Sequence, residues 1–298
     1  MKSKNIPGAV LILSASFLWG TTGTAQALAP TYATPIAIGT IRIIFGSFAL
    51  LILLRWQGIR LKDYDWPIVP VALSAIGMAA YNLLFFAGVS KTGVAVGTIA
   101  TIGSSPIIAG LFSWIVHKEA LSSRWLISTI LAIFGGTLLI IPKESLNIDV
   151  GGVLLAISAG ASYAIFSIFS KRLVSNSPPL AAISIVTFLG AILLSPLLFF
   201  INLTWLNTFG GWGVALHLGI ITTAIAYTLY AYGLKTISAA KALTISLAEP
   251  LTASVFGILL LGERLTTLST LGVIFLLIGI FIMSTEKTRS LSKEKPVQ

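Results

Sequence analysis

Long apolar runs, interrupted at short intervals by proline, glycine and charged clusters, cover nearly all of the 298-residue chain. Ten runs can be marked, over about 7–28, 35–56, 66–90, 93–117, 123–142, 150–171, 178–201, 208–233, 238–261 and 266–284. Each is close to the ~20 apolar residues that a helix needs to cross a hydrocarbon layer about 30 Å thick. Lipid cannot satisfy backbone N–H and C=O groups, so runs of this kind predict helices rather than open strands. Pro30, Pro35, Pro67, Pro142, Pro178 and Pro179 punctuate the breaks. The connections are too short for a second domain, and only 286–298 reads as a disordered, solvated tail. The pattern predicts an all-α polytopic membrane protein with ten transmembrane helices.

Composition agrees with the pattern and narrows the chemistry. Hydrophobic residues make up 56% of the chain and charged residues 9%, against roughly 25% charged in soluble domains. With no cysteine, disulfides, thiolate metal sites and cysteine nucleophiles are excluded. The net charge of +10 does not indicate nucleic acid, because no basic stripe carries interleaved aromatics. The charge is distributed by side instead. With both termini cytoplasmic, Lys2, Lys4, Arg55, Arg60, Lys62, Lys118, Arg124, Lys171, Arg172, Lys235 and the four basic residues of the tail face inward. Only Lys91, Lys143 and Arg264 face outward. That bias is the positive-inside signature of a helical membrane protein. Lys2, Lys4 and the small residues Ala27-Leu28-Ala29 imitate a signal peptide. The length of the first run favours a retained transmembrane helix.

An internal repeat sits at an offset of 144 residues: Lys91, Thr92, Pro106, Phe112, Glu119, Leu121 and Gly135 recur as Lys235, Thr236, Pro250, Phe256, Glu263, Leu265 and Gly279. Gly8-Ala9-Val10-Leu11 also aligns with Gly151-Gly152-Val153-Leu154. The chain therefore divides into 1–145 and 146–285, five helices each. An odd number of helices per repeat means that the two halves are inverted in the membrane, as in alternating-access carriers.

The stretch Lys241 to Arg264 carries one carboxylate, Glu249, near its middle, followed by Pro250. An ionisable group at mid-depth costs about 2.5–3.5 kcal/mol or more. Proline removes a backbone donor, so breaks are expected at Pro250 and at its repeat partner Pro106. Glu249 is a candidate proton-coupling group or partner for a cationic moiety, or else a fixed interhelical hydrogen bond. Arg42 is a candidate anchor for a substrate carboxylate, with pairing to Glu249 or snorkelling as alternatives. Trp19, Tyr81, Tyr163 and Tyr227 fall mid-span, away from the interfacial belts, and read as cavity lining or packing. Asn82, Thr101, Ser104, Ser105, Thr222 and Thr223 add neutral polar groups whose ordinary use is hydrogen bonding within or between helices. Tyr230 and Tyr232 read as belt residues and Lys241 as a snorkelling lysine. Glu119 and Glu263, each followed by x-Leu-Ser or x-Leu-Thr, read as capping segments. Gly93, Gly97, Gly272 and Gly279 read as close-packing positions.

Phe17-Leu18-Trp19-Gly20, Arg42, and the doubled order of proline, Glu-x-Leu and a glycine-bearing span resemble the drug/metabolite transporter superfamily, its EamA-type permeases in particular. The resemblance covers residues 8–285 and implies two inverted five-helix repeats forming an inner-membrane carrier. It implies export of small polar metabolites, amino acids leading; no cofactor is expected, and any coupling to protons falls to Glu249. Ser105 stands where the second repeat has Glu249, so any charge role belongs to the second half alone. The implied partners are a small-molecule substrate and the lipid bilayer, with the chain a monomer or homodimer. An importer of a choline-like cation is the alternative, held by the aromatic set and Glu249. An intramembrane enzyme is the remote one: His117 and His217 lack HExxH spacing or a paired carboxylate, and no phosphate-binding loop is present.

Overall fold

The computed structural model describes residues 6–117, 121–140, 149–261 and 266–285. Lys2, Lys4, Lys118, Glu119, Pro142, Lys143, Glu263, Arg264 and the tail 286–298 lie outside the described residues, as does the His117 side chain. Among the described residues, nine helical stretches are long and apolar enough to cross a membrane, and Ser123–Leu139 adds a shorter apolar helix. The chain is a polytopic, helical membrane protein.

The helices are α1 (Gly8–Trp19), α2 (Thr21–Ala27), α3 (Pro35–Trp56), α4 (Ile68–His117), α5 (Ser123–Ile140), α6 (Val150–Asn176) and α7 (Pro179–Leu194). They continue with α8 (Phe209–Leu216), a π-helical stretch (His217–Ile225), α9 (Ala226–Leu234), α10 (Ala239–Ser246), α11 (Glu249–Leu261) and α12 (Thr267–Ser284). Side-chain oxygens set several starts. Asp149 accepts from Gly152 N at 2.7 Å before α6. Ser122 accepts from Trp125 N at 3.0 Å before α5, and Thr266 from Ser269 N at 3.1 Å before α12. Ser122 and Thr266 are repeat equivalents, so the residue three places after Glu119 and after Glu263 is the cap in both halves.

Helix α4 contains 50 residues in one helical assignment, but it cannot be straight. At ~1.5 Å per residue, Gly77 and Ser104 would be about 40 Å apart along its axis. Yet Gly77 packs on Ser162 and Phe166 of α6, and Gly160 of the same helix packs on Thr101 and Ser104. The Thr101 hydroxyl donates to the Ala156 carbonyl at 2.9 Å. The chain therefore reverses between its two spans, Ile68–Thr92 and Val96–Ile115, and both arms lie along α6.

The two prolines behave differently. In the second half the helix is interrupted: α10 ends at Ser246, Leu247 and Ala248 make tight bonds to Thr244 and Ile245, and Glu249 and Pro250 open α11. In the first half the expected break at Pro106 does not occur, and α4 runs through it. Proline 106 leaves the Ile102 carbonyl without its usual donor. The Ser105 hydroxyl donates to that carbonyl at 3.2 Å. A hydroxyl can repair the gap from the preceding position, whereas a carboxylate has no proton to give when ionised. Replacing Ser105 by Ala is expected to lower stability by about 0.6–1.7 kcal/mol, read as a reduced thermal midpoint in detergent. An unchanged midpoint would remove Ser105 from this role.

Equivalent residues exchange partners. A Cβ added at Gly279 would lie 2.8 Å from the Ser128 carbonyl oxygen and 2.9 Å from Ala132 N; one at Gly135 would lie 2.7 Å from the Gly272 carbonyl oxygen and meet Leu276 N. Gly272 and Leu276 are the 144-offset partners of Ser128 and Ala132. Reciprocal contacts of this kind are what a two-fold relation produces, and here they join antiparallel α5 and α12. Gly8 meets Thr236 while Gly152 meets Thr92, so Gly8 pairs with Gly152 rather than with Gly151. Through Gly8 and Ile12, α1 packs directly against Gly233 of α9, making the N-terminal helix part of the bundle.

Candidate functional site

The site grows from two irregular helices. Helix α1 stops at Trp19, and α2 restarts after Gly20. Opposite lies the π-helical stretch, whose widened backbone lets the Thr223 hydroxyl reach the carbonyl of Leu218, five residues back, at 2.8 Å. Thr222 donates to the same carbonyl at 2.9 Å, and the freed Thr222 carbonyl accepts the Trp19 indole N–H at 2.9 Å. Short π-helical stretches within α-helices are over-represented at functional sites. Buried indole N–H groups are stabilised by such a partner, which the buried Trp125 and Trp205 indoles lack among the described residues.

Around Trp19 the aromatic residues are continuous. Its ring centroid is 5.1 Å from Tyr227, 5.3 Å from Tyr230 and 6.3 Å from Tyr163. Tyr163 reaches on to Tyr81 at 5.1 Å, and Phe166 stacks beside Tyr163 at 5.9 Å. The mostly inclined geometries suit ring quadrupoles. Ser167 Oγ and Tyr230 Oη share a hydrogen bond of 2.7 Å. Trp19, Tyr163, Tyr227 and Tyr230 are buried, whereas Tyr81 is half-buried.

Two opposite charges complete the group. Arg42 of α3 is 7% exposed. Its guanidinium lies near the Tyr227 hydroxyl and interacts with it. It also acts electrostatically on Glu249, and Glu249 and Arg42 both act on Tyr81. Arg42 and Glu249 do not touch: among the described residues, the one Lys/Arg–carboxylate pair within 4.0 Å is Arg60–Asp63. Glu249 is half-buried at the first turn of α11. Arg42, Tyr81, Tyr227 and Glu249 are thus coupled electrostatically from four helices, two in each half.

The remaining expected residues are placed otherwise. The Asn82 amide donates to the Met78 carbonyl of its own helix at 2.9 Å, and Ser105 repairs the Pro106 gap. Ser104 bonds back to Thr101 at 3.1 Å. Lys241 lies with Pro7 and Ser284 beside a cavity of about 360 Å³ at the end of the bundle. Tyr232 is exposed as a belt residue would be, but Tyr230 is fully buried in the aromatic group and corrects its belt assignment. The available signal was spacing. Tyr230 follows Tyr227, and Phe166 follows Tyr163, by three residues, one helical face apart. His217 was also missed as a contact. It opens the π-helical stretch, and its Nε2 is 2.8 Å from the Thr21 hydroxyl. That hydroxyl's proton goes to the Leu18 carbonyl at 2.7 Å, so His217 Nε2–H is the donor to Thr21 Oγ1.

Comparison with known proteins adds four findings. The description "EamA-like transporter family" matches residues 6–141 and again 150–285, the two matches displaced by the same 144 residues as the repeat. The uncharacterized transporter YwfM of Bacillus subtilis (strain 168) is 43% identical over 287 residues, covering 96% of each chain. The threonine/homoserine exporter RhtA of Escherichia coli (strain K12) is 24% identical, covering 98% of this chain and 95% of its own. A solved crystal structure with 16% identity superposes with a TM-score of 0.81 over 92% of this chain and 95% of that one, a likeness of fold.

Proposed function

The chain belongs to the EamA-like transporter family, and from that premise we propose that it is a secondary active exporter of amino acids or closely related small polar metabolites. The observation that carries this reading is the electrostatic coupling of Arg42, Tyr81, Tyr227 and Glu249 from helices of both halves, with Glu249 next to the break between α10 and α11. Binding sites of inverted-repeat carriers lie at such broken helices, where irregular backbone lines a cavity rather than facing lipid. The exchanged contacts of α5 and α12 support an inverted pair of halves that rock about a central site. The likeness to a threonine/homoserine exporter supports the solute class. No step of bond making or breaking is assigned to the chain. Glu249 is the coupling group for protons. The biased distribution of lysine and arginine supports an inner-membrane location with both termini cytoplasmic.

The test is efflux from proteoliposomes loaded with labelled threonine or homoserine, with an imposed pH gradient. Efflux above the protein-free leak, accelerated by the gradient, is expected. Leak-level efflux for both solutes would overturn the amino-acid reading. The aromatic group favours a second reading, uptake of a choline-like cation. Arg42, electrostatically coupled to the same tyrosines, opposes a permanent cation. Labelled choline in the same vesicles decides between the two.

A further inference from the structure

Arg42 carries a feature that packing does not explain. Its Nε is buried and has no hydrogen-bond partner, although the side chain is more than nine-tenths buried. A buried donor left unpaired costs about 1–3 kcal/mol, and more on a charged group. The penalty is avoidable if Glu249 closes on Arg42, because a carboxylate matches the guanidinium fork in a two-bond geometry. It does not close: the two interact electrostatically but are not within 4.0 Å of each other. The interaction with Tyr227 leaves Nε unsatisfied. The unpaired Nε–H is one of the two donors of the side-on fork that receives carboxylates, and here it is covered without being satisfied.

We propose that Arg42 is the receptor for a carboxylate of the transported solute and that Glu249 faces its ammonium group, so that the site selects zwitterions carrying both charges close together. The proposal rests on the exporter reading for its ammonium half, while the carboxylate half stands on Arg42 alone. A solute bound this way satisfies Nε and separates Arg42 from Glu249 with matched charges. An amine without a carboxylate leaves Arg42 unpaired and is repelled by it. A carboxylate without an amine leaves Glu249 unmatched. Tyr81, half-buried, is electrostatically coupled to both charges.

The experiment measures binding to the purified full chain by calorimetry. The ligands are threonine and phenylalanine, their amine-free counterparts 3-hydroxybutyrate and 3-phenylpropionate, and their carboxylate-free counterparts 1-amino-2-propanol and phenethylamine. With the unaltered protein, removing the carboxylate is expected to weaken binding at least about tenfold. Arg42→Gln is expected to weaken the parent amino acid by a similar factor while leaving the amine within about twofold. Arg42→Lys, which keeps the charge and loses the fork, retains the preference at reduced affinity. Carboxylate acids that bind through Arg42 while neither amino acid does would uphold the carboxylate receptor and overturn the exporter reading and the ammonium half. Amines that bind as tightly as the amino acids, an Arg42→Gln protein with the preference intact, or no binding by any ligand would overturn the receptor itself.

Discussion

Glu249→Gln is expected to reduce gradient-driven efflux to the protein-free leak while the protein stays folded. Glutamine keeps the size and hydrogen-bonding capacity of the side chain, but it can neither carry a negative charge nor take up and release a proton. If Glu249 is the coupling group, the loss is of transport and of its pH response, with helicity and solubility retained. Removing an ionisable group from membrane depth relieves a cost of about 2.5–3.5 kcal/mol, so the thermal midpoint should hold or rise. Efflux against pH in proteoliposomes, beside thermal unfolding in detergent, measures both. Transport that persists with the same pH sensitivity would exclude the coupling role.

Gly272→Leu should be among the most destabilising single substitutions. A Cβ at Gly272 would lie 2.6 Å from the Gly135 carbonyl oxygen and 2.7 Å from Leu139 N. Both are backbone atoms of α5, so the clash is relieved only by moving a whole helix. Overpacking usually costs about 1–3 kcal/mol, and an obstruction made of backbone places this change at the upper end or beyond. The matched control is Gly213→Ala in α8, where nothing lies within 4 Å of the added Cβ. There the gain in helix propensity, up to about 1 kcal/mol, should leave the midpoint unchanged or higher. Equal midpoints for the two variants would mean that α5 and α12 are not held in this contact.

Much of the architecture was readable in one dimension. Spans of membrane length follow from run length, because every residue of a crossing helix meets the same apolar medium. The caps Ser122 and Thr266 lie just ahead of their helices, and a cap is a three-residue interaction. Pro106 shows the limit of a single-residue rule. Its missing N–H argued for a break, and one hydroxyl at Ser105 reverses that outcome. The same proline beside Glu249 lies at a true interruption. Tyr230 was misjudged by depth alone, although its spacing from Tyr227 put the two on one face.

The amino-acid order by itself determined the helical membrane class, the spans, the doubled halves and the presence of single unlike charges inside apolar runs. Each of these depends on local spacing or on a cost that any lipid-facing chain would meet. Only the tertiary structure decided that Arg42 approaches Tyr227 and Glu249 without closing an ion pair, that Trp19 finds its acceptor in a π-helical turn, and that Asn82 bonds to its own helix. These outcomes depend on how far apart packed helices hold side chains remote in sequence. That separation is set by glycine contacts between helices, such as Gly46 against Thr223 and Gly20 against Thr252, and no periodicity along one helix encodes it.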